Sequence, residues 1–309
     1  LSLPLLYKEL KISRDFKWIL IDEDLEEIAA LHRWHWLLKL LNQSSKNYSY
    51  ELYLYLVRSW IRNVGNKQMK DSYDLSERIS NFILFQKFFD NSLEYIPKDI
   101  KNYLDKMVIK LSNNLEFHMG DLSGNHLINN SRALILYGLA FNLNQYTELG
   151  LLVVKYILPK VIVDKFFLRE GSSHYQQLIT SWLIEIQLFA IEKNNYEIIN
   201  YLNPYLNNLI NGSLFFEIKE KIVLIGDVSP DKSPEWLCDM TSLFKENIME
   251  NDEKERKNYN GWLLIISKSF SCKDIIKNFK THNFKNIEYF EKAGFFKNKV
   301  QQMDYIYAY

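Results

Sequence analysis

The sequence predicts a mainly α fold of stacked helical hairpins, followed by a short β segment at its C-terminal end. Only 10 glycines and 6 prolines punctuate the 309 residues, which favours long helices joined by short polar turns. Apolar side chains recur at helical spacing as far as Ile210. Hydrophobic residues make up 47% of the chain, which is enough to fill a buried interior.

The first predicted helix runs from Asp24 to Leu41. Acidic residues stand at its start, where the helix dipole favours negative charge, and apolar residues follow at helical spacing. Further helices are predicted from Tyr50 to Arg62, Ser76 to Phe89, Asp99 to Asn113, Ser131 to Leu143, Thr147 to Asp164, His174 to Lys193 and Tyr196 to Ile210. Their lengths and short connections favour consecutive antiparallel hairpins.

The character of the chain changes after the charged, polar stretch from Asn251 to Asn260. The segments from Phe284 to Phe296 and from Met303 to Tyr309 have the composition of strands rather than helices. Because the last run is still apolar and aromatic at Tyr309, we expect a β-rich element to begin here and to continue in a longer protein.

Charge and cysteine content exclude several kinds of partner. Lys and Arg number 38, as do Asp and Glu, so the chain lacks the basic excess typical of nucleic-acid binding. Two cysteines are too few for a disulfide framework, and neither they nor the 6 histidines show zinc spacing. We expect no metal and no organic cofactor in this chain. No apolar run reaches the roughly 18 residues that cross a bilayer, so no membrane span is expected.

Aromatic residues make up 15% of the chain, and two interpretations remain open. They fill the core, or some of them expose their faces to stack on sugar rings. Trp34, Trp36 and Trp182 are candidates for stacking, although their helical spacing is also that of core residues. Arg78 is a candidate for binding a sulfate or carboxylate, with a structural ion pair as the alternative.

Three polar clusters carry groups that helix surfaces rarely need. The first, Gly120 to His126, precedes a helix whose free N–H groups suit a carboxylate, unless Asn125 simply caps it. The second, Arg169 to Tyr175, holds a cation, a carboxylate, an imidazole and a phenol, with Ser172 or Ser173 as a candidate N-cap. The third, Ile225 to Trp236, is a loop whose prolines restrict its backbone.

These clusters, in this order, resemble segments of the heparinase II/III-type polysaccharide lyases. The resemblance spans roughly residues 25 to 309. It rests on Gly124-Asn125-His126 followed by Ala133-Leu134, on Glu170, Ser172 and Tyr175 in the pattern Glu-x-Ser-x-x-Tyr, on Gly226 to Asp231, on His32 to Leu38 and on Ser76 to Asn81.

The resemblance implies an incomplete α/α toroid over residues 1–275 and the first strands of an antiparallel β-sandwich over residues 276–309. In that family catalysis takes place in the cleft between the two domains. The rest of the sandwich is therefore expected to complete the site. The expected partner is an acidic polysaccharide, either sulfated or unsulfated. The expected compartment is the periplasm or the exterior, although few cysteines suit the cytoplasm equally.

Family members cleave uronic-acid polymers by β-elimination, in which a base removes the C5 proton and an acid protonates the departing glycosidic oxygen. Asn125 matches the residue that holds the substrate carboxylate, and Tyr175 matches the general acid. The expected substrate-binding residues are His126, Arg169, Glu170, His174, Arg78, Trp34 and Asp227. One departure is Gln176, because the family often has histidine directly after the tyrosine, whereas here His174 precedes it.

Two other functions are also compatible with the sequence. A noncatalytic glycan-binding or surface-polysaccharide assembly protein would keep the fold without the chemistry. A hydrolase on the same scaffold would need two carboxylates flanking the scissile bond, and Glu170 with Asp121 or Asp227 would be the candidates.

Overall fold

The computed structural model describes residues 2–6, 9–13, 16–20, 24–42, 50–90, 93, 95–118, 124–218, 221–229, 232–248, 287–290, 295–300 and 303–308. The chain forms two compact units. Unit 1 contains Leu1–Lys160 and Glu185–Leu202, and unit 2 contains Val161–Ile184 and Asn203–Tyr309.

The described residues are mostly helical, as predicted. The helices are α1 (Leu25–His32), α2 (His35–Asn42), α3 (Tyr50–Trp60), a π-helical turn (Ile61–Gly65), α4 (Ser72–Asp90), α5 (Lys98–Ser112), α6 (Asn125–Phe141), α7 (Asn144–Val161), α8 (Ser173–Glu192), α9 (Tyr196–Phe215) and α10 (Pro234–Ile248). The strands are β1 (Ser2–Pro4), β2 (Glu9–Lys11), β3 (Ile162–Val163), β4 (Phe167–Leu168), β5 (Glu217–Ile218), β6 (Lys221–Ile222), β7 (Ile287–Phe290), β8 (Phe295–Val300) and β9 (Met303–Ala308).

The helix predicted from Asp24 to Leu41 is divided into α1 and α2 at Trp34, whose backbone is left-handed with φ 61°. Side chains of α4 bind the carbonyl groups that the interruption releases. Arg78 Nη1 donates to His32 O at 2.9 Å, and Asn81 Nδ2 donates to Arg33 O at 2.9 Å. The single-helix prediction was wrong here, because a periodic pattern does not show which carbonyls a neighbouring helix will bind.

Unit 1 is built around α4, which packs against α2, α5 and α6. Its interior is rich in indole rings. Trp34 and Trp60 are fully buried and meet edge to face, with ring centroids 5.1 Å apart. Such aromatic pairs add stability beyond the area that they bury. This contact joins the turn between α1 and α2 to the end of α3.

A buried polar network also joins α4, α6 and the end of α8 within unit 1. Arg132 on α6 donates from Nη1 to Glu77 at 2.8 Å and from Nε to Glu185 at 2.5 Å. His35 Nε2 lies 3.1 Å from the other carboxylate oxygen of Glu77. Burial opposes the charge on Arg132, but the two carboxylates outweigh it and raise the pKa of the guanidinium.

Unit 2 has its own hydrophobic cluster of Phe167, Phe215 and Phe216. The side chain of Gln176 lies beside it and joins three backbone segments. Its Oε1 accepts from Leu168 N at 2.7 Å, and its Nε2 donates to Phe166 O at 2.8 Å and to Leu209 O at 3.3 Å. A glutamine at this position therefore fastens α8 to the turn before β4 and to α9.

The short C-terminal β segment is confirmed as an antiparallel meander with strand order β7-β8-β9. Helix α10 has no counterpart among the predicted helices, because its sequence lies partly in the loop predicted from Ile225 to Trp236. Within the described ranges, no helix combines the length and the apolar character that crossing a membrane requires.

Candidate functional site

Asn125 is the first residue of α6 and is half-buried. The N-cap is Gly124, with φ −135° and ψ −140°, so Asn125 does not itself cap the helix. The neighbouring stretch from 119 to 123, which includes Asp121, lies outside the described residues. Backbone N–H groups in the first turn of a helix point outwards and favour an anion. At Asn125, a side-chain amide and the N–H groups of the helix start could therefore bind the same anion.

Glu116 holds His126 next to Asn125. Its carboxylate lies 2.9 Å from His126 Nδ1 and accepts from Asn130 Nδ2 at 2.9 Å. Asn130 also accepts from the backbone N–H of Glu116 at 2.9 Å and donates to Ser76 Oγ at 3.1 Å. The His126 ring contacts the ring of Tyr73, with centroids 4.6 Å apart. The imidazole is thus held by a carboxylate, which Asn130 itself positions, and by an aromatic ring.

The charge of Glu116 decides which nitrogen of His126 carries a proton. Burial raises the pKa of Glu116, but hydrogen bonds from His126 and Asn130 outweigh it, so the pKa lies below its usual value. An ionised carboxylate only accepts, so His126 Nδ1 must donate. The Nε2 atom then carries the lone pair in the neutral ring and a second proton in the charged ring.

Tyr175 lies in the first turn of α8 and is half-buried. Ser172 caps this helix, because its Oγ accepts from the backbone N–H of Tyr175 at 3.0 Å. The structure therefore selects Ser172 from the two predicted N-cap candidates, Ser172 and Ser173. Gly171, just before the cap, has φ 66°, a left-handed conformation that glycine adopts without strain.

The structure brings the second and third polar clusters together within unit 2. Ser173 Oγ donates to Val223 O at 2.7 Å and accepts from Ile225 N at 2.8 Å. Ser172 Oγ donates to Asp227 O at 2.5 Å. Two serine hydroxyls therefore anchor the loop that contains Asp227 against the start of α8.

Gly226 is the residue of this loop that tolerates no side chain. Its φ is 73°, and a Cβ atom there would lie 2.6 Å from the carbonyl oxygen of Gly171. The close approach of two backbones at Gly171 and Gly226 is what allows the serine contacts to form.

His174 is fully buried and serves the same loop. Its Nε2 lies 2.9 Å from Lys232 O, and its Nδ1 accepts from Ser229 N at 3.4 Å. These partners require a proton on Nε2 and a lone pair on Nδ1, which is the neutral ring. The predicted substrate contact is therefore placed inside the protein, where it supports the turn that bears Tyr175.

The other substrate-binding residues predicted in unit 2 lie near the start of α8 and are at least partly exposed. Arg169 is half-buried, and its backbone N–H donates to Val161 O at 2.8 Å. Glu170 and Asp227 are exposed. A cation and two carboxylates are thus available to solvent near the start of α8.

Arg78 and Trp34 lie in the interior of unit 1, with no exposed surface. Arg78 donates from Nη2 to Gln68 O, in addition to His32 O, and its guanidinium lies 5.2 Å from the centre of the Trp60 ring. Burial lowers the pKa of Arg78. Its partners are backbone carbonyls, so neither a bound sulfate nor a carboxylate ion pair describes what it contacts.

Sequence reasoning missed Glu116 and Asn130, because both lie outside the three polar clusters described above. It also missed the Glu77, Arg132 and Glu185 network. A signal for one member of that network was present, since Glu185 stands among apolar residues within a helix. Charged side chains are almost never fully buried unless they are paired. Within the described ranges, no group of three or more His, Cys, Asp or Glu side chains could hold a metal ion.

Comparison with solved structures finds the same fold in heparan sulfate lyases. The lyase HepC from Pedobacter heparinus matches with a TM-score of 0.53 and 16% identity, over 72% of this chain and 37% of that chain. A mutant of HepC matches with a TM-score of 0.52 and 17% identity, over 71% and 36%. Heparinase III matches with a TM-score of 0.50 and 18% identity, over 70% and 36%.

This chain therefore spans little more than a third of the lyases that it matches. No protein-family profile and no curated protein sequence matches it. The likeness is one of fold, and it confirms the predicted class, a mainly α incomplete α/α toroid of helical hairpins. The chain has a heparinase-like fold, which it shares with structures of heparan sulfate lyases.

Proposed function

We propose that this chain contains the helical domain of a polysaccharide lyase that cleaves a uronic-acid glycan by β-elimination. The observation that carries the proposal is the fold shared with heparan sulfate lyases over 70–72% of the chain. Asn125 and Tyr175 add support, because each lies in the first turn of a helix and neither is fully buried.

The proposed reaction breaks the bond between C4 of the uronate and the glycosidic oxygen. A base takes the proton from C5, and the electrons of that C–H bond form the C4=C5 double bond. The C4–O bond breaks, its electrons pass to the glycosidic oxygen, and an acid protonates that oxygen. Negative charge develops on the C5 carboxylate along this path, so hydrogen-bond donors around it lower the barrier.

Asn125 is the residue that we assign to this carboxylate. Its amide donates without adding charge, and the start of α6 contributes a partial positive charge. His126 follows on the same turn, where Glu116 fixes its ring with Nδ1 as donor. In its charged form this ring adds a second positive group to the proposed carboxylate site.

Tyr175 is the residue that we assign as general acid. Its phenol has one transferable proton. The backbone of Tyr175 is fixed by the Ser172 cap. The loop anchored by Ser173, together with the buried His174, supports the same turn. A positioned acid of this kind contributes typically 10²–10⁴-fold to a rate.

We further propose that residues 1–275 form the toroid domain and that residues 276–309 belong to a β-sandwich domain, of which β7, β8 and β9 are strands. That domain would supply further catalytic groups. A periplasmic or secreted protein would meet such a polymer, and we propose that setting.

The test is the ultraviolet absorbance of the unsaturated uronate, measured with the full-length protein against a panel of acidic polysaccharides that includes heparan sulfate. We expect absorbance to rise with at least one polymer and to be lost in Tyr175→Phe and Asn125→Ala. Matched controls are Tyr55→Phe and Asn207→Ala, because both residues are exposed on other helices. They should keep full activity.

Two outcomes would replace the proposal. Binding of a polysaccharide without any rise in absorbance would identify a noncatalytic glycan-binding protein. New reducing ends without absorbance would identify a hydrolase, and then variants of Glu170 and Asp227, rather than Tyr175→Phe, should abolish cleavage.

A further inference from the structure

Unit 1 contains a surface cavity of about 390 Å³ formed by the turn between α6 and α7 and the turn between α8 and α9. This volume lies within the roughly 300–1,000 Å³ range of small-molecule sites. The side chains that give the cavity its chemistry are Asn142, Asn144, Lys193, Asn194, Asn195 and Tyr196. None of the residues lining the cavity is acidic.

Both helices that end at the cavity do so in the same way. At the end of α6, Asn142 has φ 56°, and Leu143 N donates to Gly138 O at 2.8 Å. At the end of α8, Asn194 has φ 53°, and Asn195 N donates to Ala190 O at 2.9 Å. Glycine is the usual residue at this left-handed position, with asparagine the alternative. Here asparagine adds an amide to the cavity at both ends.

Three of the four asparagine side chains at the cavity are not used by the described part of the fold. Within the described part of the chain, the side chains of Asn142, Asn144 and Asn194 make no hydrogen bond. Asn195 is different, because its Oδ1 accepts from Ile198 N at 3.1 Å and so starts α9. Three amides therefore have donors and acceptors to offer a ligand.

The charge of Lys193 is also available. The acidic residues on either side of it in sequence are engaged elsewhere: Glu192 with Lys87 at 2.7 Å and Glu197 with Lys155 at 2.7 Å. Lys193 itself makes no ion pair within the described ranges, and Tyr196 beside it is 66% exposed. The cavity thus has a net positive charge and an accessible aromatic face.

We infer that this cavity binds one unit of an acidic saccharide. Amides donate and accept at once, which suits adjacent sugar hydroxyls. The Tyr196 ring offers an apolar face to the sugar ring, and Lys193 pairs with a carboxylate or sulfate. This binding site contains neither Asn125 nor Tyr175. It therefore goes beyond the proposed function, because it holds a glycan without cleaving it.

The test follows the side-chain amide signals of Asn142 and Asn194 by NMR in the full chain. The probe is a tetrasaccharide of alternating glucuronic acid and N-acetylglucosamine, with a neutral glucose tetrasaccharide for comparison. We expect the acidic probe, and not the neutral one, to shift both signals. Asn142→Gly and Asn194→Gly identify these signals and preserve the fold, because glycine suits the left-handed backbone.

The variants then measure the contribution of each group. Removing both amides, or changing Lys193→Met, should weaken binding of the acidic tetrasaccharide about tenfold, which is the effect of losing one to two hydrogen bonds. The affinity is measured from the cavity signals that remain. Lys110→Met, on an exposed position of α5, should leave it unchanged.

Three results would overturn the inference: amide signals that never shift, an affinity unaffected by these substitutions, or equal binding of the neutral probe. Each is read from binding alone. A failure here therefore leaves the elimination assay untouched, and a failed elimination assay leaves this binding untouched.

Discussion

The carboxylate of Glu116 fixes the ring of His126 through a 2.9 Å contact between Oε1 and Nδ1. The two residues come from different elements, since Glu116 follows α5 and His126 lies in the first turn of α6. The contact couples the orientation of a proposed substrate-binding residue to the ionisation of a partly buried acid.

Glu116→Gln should lower the free energy of unfolding at neutral pH by about 1 kcal/mol, because the neutral amide is a weaker acceptor. The pKa of Glu116 is lowered in the folded protein from its usual 4.5. Its stabilisation is therefore present above pH 4.5 and disappears as pH falls through the lower folded value. Urea unfolding at several pH values should show the wild-type and Glu116→Gln curves converging at acid pH.

The matched control for Glu116→Gln is Glu148→Gln, because Glu148 is exposed on α7 beyond the first turn of that helix. It should leave stability unchanged at every pH. A difference between wild type and Glu116→Gln that stays constant down to acid pH would show that the ionised carboxylate is not what holds His126.

Arg132→Met should destabilise the protein by about 3–5 kcal/mol, because it leaves Glu77 and Glu185 buried without their cation. Arg132→Lys keeps the charge but not the two-armed geometry, so its loss should be smaller. Arg58→Met is the comparison, since Arg58 and Asp99 form an exposed pair worth at most about 1 kcal/mol. Denaturant unfolding would measure all three, and equal losses for Arg132→Met and Arg58→Met would refute the buried-network interpretation.

Gln176→Leu should cost about 2–4 kcal/mol of folding stability, because it leaves the N–H of Leu168 and the carbonyls of Phe166 and Leu209 without their partner. Gln176→His should also destabilise, because a neutral imidazole has one donor and one acceptor and cannot replace three contacts. Gln145→Leu, at an exposed position of α7, is the control. Thermal unfolding that shows no difference between Gln176→Leu and Gln145→Leu would contradict the assignment.

Gly226→Ala should destabilise unit 2 by about 1–3 kcal/mol, because alanine is strained at φ 73° and its Cβ would meet the carbonyl of Gly171. Ser173→Ala should weaken the same loop by removing its two hydroxyl contacts. Hydrogen exchange at the backbone N–H of Ile225 reports on the loop, and both variants should increase it. Unchanged exchange in both would mean that these contacts do not hold the loop to α8.

Much of the fold could be predicted because helix periodicity is a local property. The apolar spacing placed α4, α5, α8 and α9 to within a few residues. The interruption at Trp34 could not be predicted, since it depends on Arg78 and Asn81, which lie far away in sequence. Helix α10 was missed for a related reason. Its start at Pro234 has the composition of a loop, and only the burial of Leu237 in the folded protein shows that a helix packs there.

By itself the sequence determined the helical class, the positions of the polar turns and a cap at Ser172 or Ser173, because propensity, spacing and capping act over a few residues. Only the tertiary structure decided that Glu116 meets His126, that Ser173 anchors the loop at Ile225, and that Arg78 lies in the interior. These outcomes depend on which helix faces pack together. That choice is made by the burial of many side chains at once, and no short stretch of sequence encodes it.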